Sequence, residues 1–212
     1  MGEESDRWSV WWNGGRPGAF TFDAFIDAVD RWTASGQHSG SAVSESLSKF
    51  NALNAVRMRR VKKTLKWPVE LAAFLDGGHV SGQHWVCITE SWCGDAAQTL
   101  PFIAAMAERG EAALDIVLRD GENGLIEDFL SGGSRSIPKW IMADRDGHVL
   151  GDWGPRPAPL QQMVQANKSL GQPLTKQELA VQIQLWYARD RGRHFFGEAE
   201  ALLRACTPPR QR

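Results

Sequence analysis

Apolar residues recur at steps of three and four over three early stretches of the chain. Thr21 precedes Phe22, Phe25, Ile26, Val29 and Trp32, a spacing that predicts a helix closed at Gly36. From about Ser41 to Lys66, Leu47, Phe50, Asn54, Met58, Val61 and Leu65 form one stripe and predict a longer helix facing inward along it. Val69 to Leu75 predicts a short third helix, ended by Gly77-Gly78. Ahead of these, residues 1–19 carry Trp8, Trp11, Trp12 and the flexible stretch from Asn13 to Gly18, and predict an irregular lead-in anchored by its tryptophans.

From residue 83 the period changes. Trp85-Val86-Cys87-Ile88-Thr89 and Leu114-Asp115-Ile116-Val117-Leu118 are β-rich runs of strand length. Helical spacing lies between them, from Gln98 to Arg109, and again from Leu125 to Leu130. Lys139 to Ala143 and His148 to Leu150 flank Asp144-Arg145-Asp146-Gly147, a hairpin turn, and a helix follows from about Pro159 to Leu170. The order β-α-β-α-β-β-α predicts an α/β core whose first two strands are parallel and whose last two are antiparallel. After Thr175 the pattern is helical once more, with Leu179, Ile183, Trp186 and Tyr187 on one stripe, a break at Gly192, and a last helix through Leu202 and Leu203. Residues 207–212 are expected to fray. The chain is read as a helical extension over 1–78, an α/β core over 79–170 and a helical extension over 171–212 packed on that core.

Composition narrows the function classes. In 212 residues, 24 Lys and Arg balance 25 Asp and Glu for a formal charge of −1, which argues against duplex nucleic acid or an anionic membrane as partner. Three Cys among 212 residues do not build a disulfide scaffold. The first twenty residues hold Glu3, Glu4, Asp6, Arg7 and Arg16 without an apolar run, so no signal peptide is expected, and the chain reads as cytoplasmic.

The sharpest feature is Ser91-Trp92-Cys93-Gly94-Asp95-Ala96-Ala97-Gln98, where the first strand hands over to a helix. A thiol there meets unpaired backbone N–H groups and the positive end of the helix dipole, and both favour thiolate. The alternative is a small buried residue filling space under a turn.

These residues resemble the thioredoxin-like superfamily. Trp92-Cys93-Gly94 is similar to the start of its active-site motif, and Pro101, eight residues after Cys93, to its helix-kinking proline. Ile137-Pro138, ahead of a strand, resembles the family's cis-proline facing the active thiol, and Gly154 a glycine lining the substrate groove. The chain also resembles a single-cysteine branch of these proteins with a Trp-Cys-Gly-Asp motif. That branch shares the stretch with Leu53-Asn54, Arg57-Met58 and Lys63-Thr64, then Gly133 to Pro138, then Trp153 to Pro157. The resemblance implies a thioredoxin-like fold, a central mixed sheet flanked by helices, and thiol–disulfide chemistry on a protein or small-molecule disulfide, with no bound cofactor.

One departure matters. Ala96 stands where the second cysteine of a Cys-x-x-Cys pair would lie on the same helix face and resolve a mixed disulfide. Release would then need Cys87, six residues earlier at the position of the family's buried acid, or an external thiol such as glutathione. Cys87 has the alternative reading of an inert strand cysteine. Asp95 either stabilises the first helical turn or shuttles a proton to the neighbouring sulfur, a role in tension with thiolate formation. Arg135, with Ser136 before Ile137 and Pro138, would hold a carboxylate or support the thiolate, or is simply solvated; Arg156 carries the same pair of readings. Trp92 is expected to shield the thiol, and Cys206 has no visible role. The basic run Arg57, Arg59, Arg60, Lys62, Lys63 and Lys66 reads as a solvated or paired helix face, and the five His show no metal-ligand spacing with the Cys. The leading reading is a monothiol oxidoreductase with Cys93 as nucleophile; the rival is a redox-silent thioredoxin fold that binds a protein or peptide through the cis-proline groove.

Overall fold

The computed structural model describes residues 6–40 and 44–207. Four strands, β1 (His84–Thr89), β2 (Ala113–Leu118), β3 (Lys139–Ala143) and β4 (Val149–Trp153), form one sheet in the order β2-β1-β3-β4. β1 runs parallel to β2 and antiparallel to β3, and β4 is antiparallel to β3. The parallel pair needs a crossover, supplied by a helix over Ala96–Arg109. The hairpin between β3 and β4 is tightened by Asp144, whose carboxylate accepts from the backbone N–H groups of Asp146 and His148, each at 2.9 Å.

The helices are α1 (Arg7–Asn13), α2 (Phe22–Ala34), α3 (Glu45–Thr64), α4 (Val69–Asp76), α5 (Ala96–Arg109), α6 (Ala158–Lys168), α7 (Lys176–Asp190) and α8 (Arg193–Ala205). Side chains of β1 alternate between two cores. Trp85 and Cys87 enter the larger one with Leu100 and Ile103 of α5, Trp140 of β3 and Phe195 of α8. Val86 and Ile88 enter the smaller one with Trp8, Trp11, Leu125 and Cys93. α3 packs along both α2 and α5, and α7 is set by a capping box between Thr175 and Glu178. Gly192 separates α7 from α8 at φ +84, and a Cβ there would stand 2.6 Å from the Phe102 ring.

Three local expectations differ. The lead-in is helical over Arg7–Asn13, because Trp8 and Trp11 bury one face while Trp8 Nε1 donates to Gly147 O at 2.8 Å. So short a helix is sustained by tertiary contact rather than by its own propensity. The stretch from Leu125 to Leu130 is only a 3-10 turn, Leu125–Asp128, entered from Gly124 at φ +59. On α3, Phe50 is exposed, and Asn51 and Ala55 are buried in its place. Asn51 Nδ2 donates to Val29 O at 3.2 Å and Thr33 Oγ1 at 2.8 Å, while its buried Oδ1 has no partner among the described residues. The expected start of α3 at Ser41 and the fraying beyond Thr207 lie outside the described residues.

Candidate active site

The site is built where β1 ends. Cys93 N–H closes a turn onto Glu90 O at 3.0 Å, and the chain then enters α5 through Asp95. Cys93 Sγ accepts from the Ala96 N–H at 3.4 Å and donates to Ile137 O at 3.5 Å, so the sulfur lies between the head of α5 and the residue before Pro138. The Ile137–Pro138 and Gly154–Pro155 peptide bonds are both cis. Gly154, at φ +136, lets its backbone approach Pro138: a Cβ there would stand 2.1 Å from Pro138 O. Ser136 is half-buried beside Ile137, its N–H donating to Ser134 O at 2.8 Å.

Asp95 is the N-cap residue of α5, but its side chain makes no capping hydrogen bond. Its buried carboxylate instead takes a salt bridge from Arg156 Nη2 at 2.7 Å and a hydrogen bond from the Tyr187 hydroxyl at 3.0 Å. Arg156 also donates to Gln161 Oε1 at 3.2 Å, while its buried Nε finds no partner among the described residues. Burial pushes the Asp95 carboxyl up despite these two donors. Cys93 is 7 % exposed. Burial, followed by the negative charge of Asp95, pushes its thiol up to about 12, against the pull of the α5 amides and Arg156. The expectation of a helix-activated thiolate is thereby reversed for this closed arrangement, because desolvation outweighs the helix terminus.

Closure comes from the extensions. A Cβ on Gly94 would stand 3.2 Å from Gln184 Nε2 of α7 and 3.7 Å from Arg57 Nη1 of α3, and Gln98 Nε2 donates to Gln184 Oε1 at 2.7 Å. Asn54 Nδ2 donates to Ser91 O at 3.0 Å, tying α3 to the active-site turn. Trp92 is half-buried and carries the Arg119 guanidinium over its ring at 4.9 Å. Beside it, Glu90 is buried and held by Ser39 Oγ and the Asp120 N–H; burial raises its carboxyl.

The structure thus brings together Trp92, Cys93, Gly94, Asp95, Ile137, Pro138, Gly154 and Arg156. Cys87 packs apart from this group, its side chain entering the larger core with Trp85, and burial, followed by the charge of Cys93, pushes its thiol far up. Arg135 is engaged at the rim by Glu127 at 2.9 Å and Asp120 at 3.6 Å. Cys206 is a packed thiol donating to Leu150 O at 3.2 Å. Arg119, Tyr187, Gln184 and Arg57 were not singled out for this site from sequence. A signal existed for Arg119, which follows the carboxyl end of β2, next to the carboxyl end of β1 in a parallel pair, where open α/β sheets place ligands. Nothing local in α7 signals that the single Tyr of the chain reaches back 92 positions to Asp95.

No helix among the described residues is long and apolar enough to cross a membrane. Among solved structures, a protein of unknown function from Pseudomonas aeruginosa is similar at 17% identity and a TM-score of 0.52, covering 89% of this chain and 99% of that one. An HIV epitope-scaffold is similar at 16% identity and a TM-score of 0.51, covering 87% and 98%. Both likenesses concern the fold. No curated protein matches the chain. A cysteine at the junction of a central strand and helix, in a mixed sheet of this order, accords with what the family comparison returns over residues 40–169, a match to the model described as thioredoxin. The chain belongs to the thioredoxin family.

Proposed function

We propose that the protein carries out thiol–disulfide exchange with Cys93 as its single nucleophile. The observation that carries this reading is the position of Cys93 Sγ between the Ala96 N–H at the head of α5 and the Ile137 carbonyl preceding Pro138. A substrate sulfur entering there would meet the thiol beside a backbone edge suited to an extended chain or a glutathione-like molecule. The resting group is a thiol, so attack needs a base. Asp95, whose carboxyl burial raises, takes the proton as Cys93 sulfur bonds to one sulfur of the substrate disulfide. The substrate S–S bond breaks, its electron pair leaves on the second sulfur, and that thiolate takes the proton from Asp95. An external thiol then attacks the mixed disulfide, forming a new disulfide and returning Cys93 as a thiol. Ala96 and the placement of Cys87 support release by an external thiol rather than from within the chain.

Burial of Cys93 and its raised pKa favour a second reading, a redox-silent fold that binds a partner at the groove near Pro138. Cys93→Ser separates the two. Under the first it abolishes reduction of a glutathione mixed disulfide by added glutathione; under the second there is no such turnover to lose. Turnover that survives the substitution ends the first reading.

A further inference from the structure

The basic run of α3 divides by face. Arg59 pairs with Asp30, and Lys62 Nζ lies 3.9 Å from Asp23, both acids of α2. Arg57 and Arg60 lie on another face of α3, and Lys66 beyond its end; none of the three has an acidic partner among the described residues. Arg57 is half-buried over Gly94, its one hydrogen-bond acceptor among the described residues being Asn54 Oδ1 at 2.9 Å. Burial and the adjacent charge of Arg60 lower its pKa. Two like charges held together without a counterion are a standing cost that an arriving anion removes.

Next to them, between α3, α5 and the end of α7, lies a cleft of about 420 Å³. Arg60, Lys66 and Arg191 contribute its cationic lining, while Phe102, Tyr187 and Gln98 contribute an apolar and amide surface. Arg191 likewise has no acidic partner among the described residues. That size falls in the range of small-molecule sites, roughly 300–1,000 Å³. Guanidinium forks match carboxylate and phosphate oxygens, and an aromatic face can cover the remainder of a small ligand.

We propose that this cleft binds a small, multiply charged oxyanion, carboxylate- or phosphate-bearing, through Arg60, Lys66 and Arg191. Such a ligand would sit against Tyr187, which donates to Asp95, and Gln98, which donates to Gln184 beside Gly94, yet its binding does not depend on any chemistry at the thiol.

Calorimetric titration of the full chain with pyrophosphate, and separately with citrate, tests it at physiological salt, where surface charge is screened. At least one anion is expected to bind with a Kd below about 1 mM, and the preferred arm identifies phosphate or carboxylate chemistry. Arg60→Gln and Arg191→Gln, both at exposed positions, should each weaken binding by about tenfold. Arg59→Gln, on the face paired with α2, should leave it unchanged. Failure of both anions to bind, binding that survives the combined Arg60→Gln, Lys66→Gln, Arg191→Gln variant with its unfolding midpoint intact, or equal weakening by Arg59→Gln would overturn the proposal.

Discussion

The Tyr187 hydroxyl donates to Asp95 Oδ1 at 3.0 Å, linking the C-terminal extension to the residue two positions after Cys93. The extensions are therefore part of the site: α7 supplies Tyr187 and Gln184, and α3 supplies Asn54 and Arg57. Replacing Tyr187 by Phe keeps the ring packed against Leu160 and Val164 but leaves the buried Asp95 carboxylate one donor short. The expected cost is about 1–2 kcal/mol, read as a lower urea midpoint with unchanged slope. An unchanged midpoint would mean that the contact contributes nothing.

Asp95 also gives stability a pH dependence whose sign is unusual for a carboxylate. Its folded pKa lies above the ordinary 3.8, so in the interval between the two values the native state binds more protons than the unfolded chain. The stabilisation is fully present below the unfolded value and is lost as pH rises through the folded one. Glu90 acts in the same direction, whereas Asp120, held low by Arg119, acts in the opposite one. Asp95→Asn removes one titration only. Unfolding free energies of the two proteins, compared from about pH 4 to about pH 8, should show wild type losing ground to the variant as pH rises. A constant difference across that range would contradict the raised folded pKa.

Where sequence pattern and structure agree, the signal was carried by apolar side chains and glycine: the β-rich run of β1, the stripe of α2, the stop at Gly192. Where they part, the deciding interactions are tertiary or polar. Asn51 points inward on α3 because its amide finds acceptors on α2, which a hydrophobic pattern has no means of marking, whereas Asn54 already lies on the apolar stripe and its spacing does not reveal that it donates to the active-site turn. α1 exists because Trp8 reaches Gly147 and Asp128, residues more than a hundred positions away. The cysteine at the strand-to-helix turn, Pro138 and Gly154 were all legible as local motifs. The state of the thiol was not, since it depends on what covers it, and the cover comes from both ends of the chain.

Gly154 offers a stringent test of the backbone beside the site. Ala at that position would have to adopt φ +136 and place its Cβ 2.1 Å from Pro138 O, with backbone rather than a flexible side chain on the receiving side. Gly154→Ala should cost at least about 3 kcal/mol. The measurement is the thermal or urea midpoint of the purified variant, and a loss under about 1 kcal/mol would show that the two segments can separate without penalty.

The state of Cys93 can be read directly. With the thiol pushed up to about 12, thiolate is scarce across the neutral range. Its alkylation should therefore climb about tenfold per pH unit from about pH 7 to about pH 10 without a plateau. Mass-spectrometric mapping separates Cys93 from Cys87 and Cys206, which are also free. After burial, the charge of Asp95 is the largest cause of the upward shift. Asp95→Asn removes that charge and leaves Arg156 beside the sulfur without its counterion, so alkylation at a fixed pH should speed up by about tenfold. Disulfide turnover should move the other way, since the variant has no carboxylate to accept the thiol proton and return it to the leaving sulfur. A variant in which both rates rise would make Asp95 an electrostatic brake alone. One in which both fall would mean that the carboxylate chiefly holds Cys93 in place. Only the opposed pair of changes assigns Asp95 the proton-transfer role.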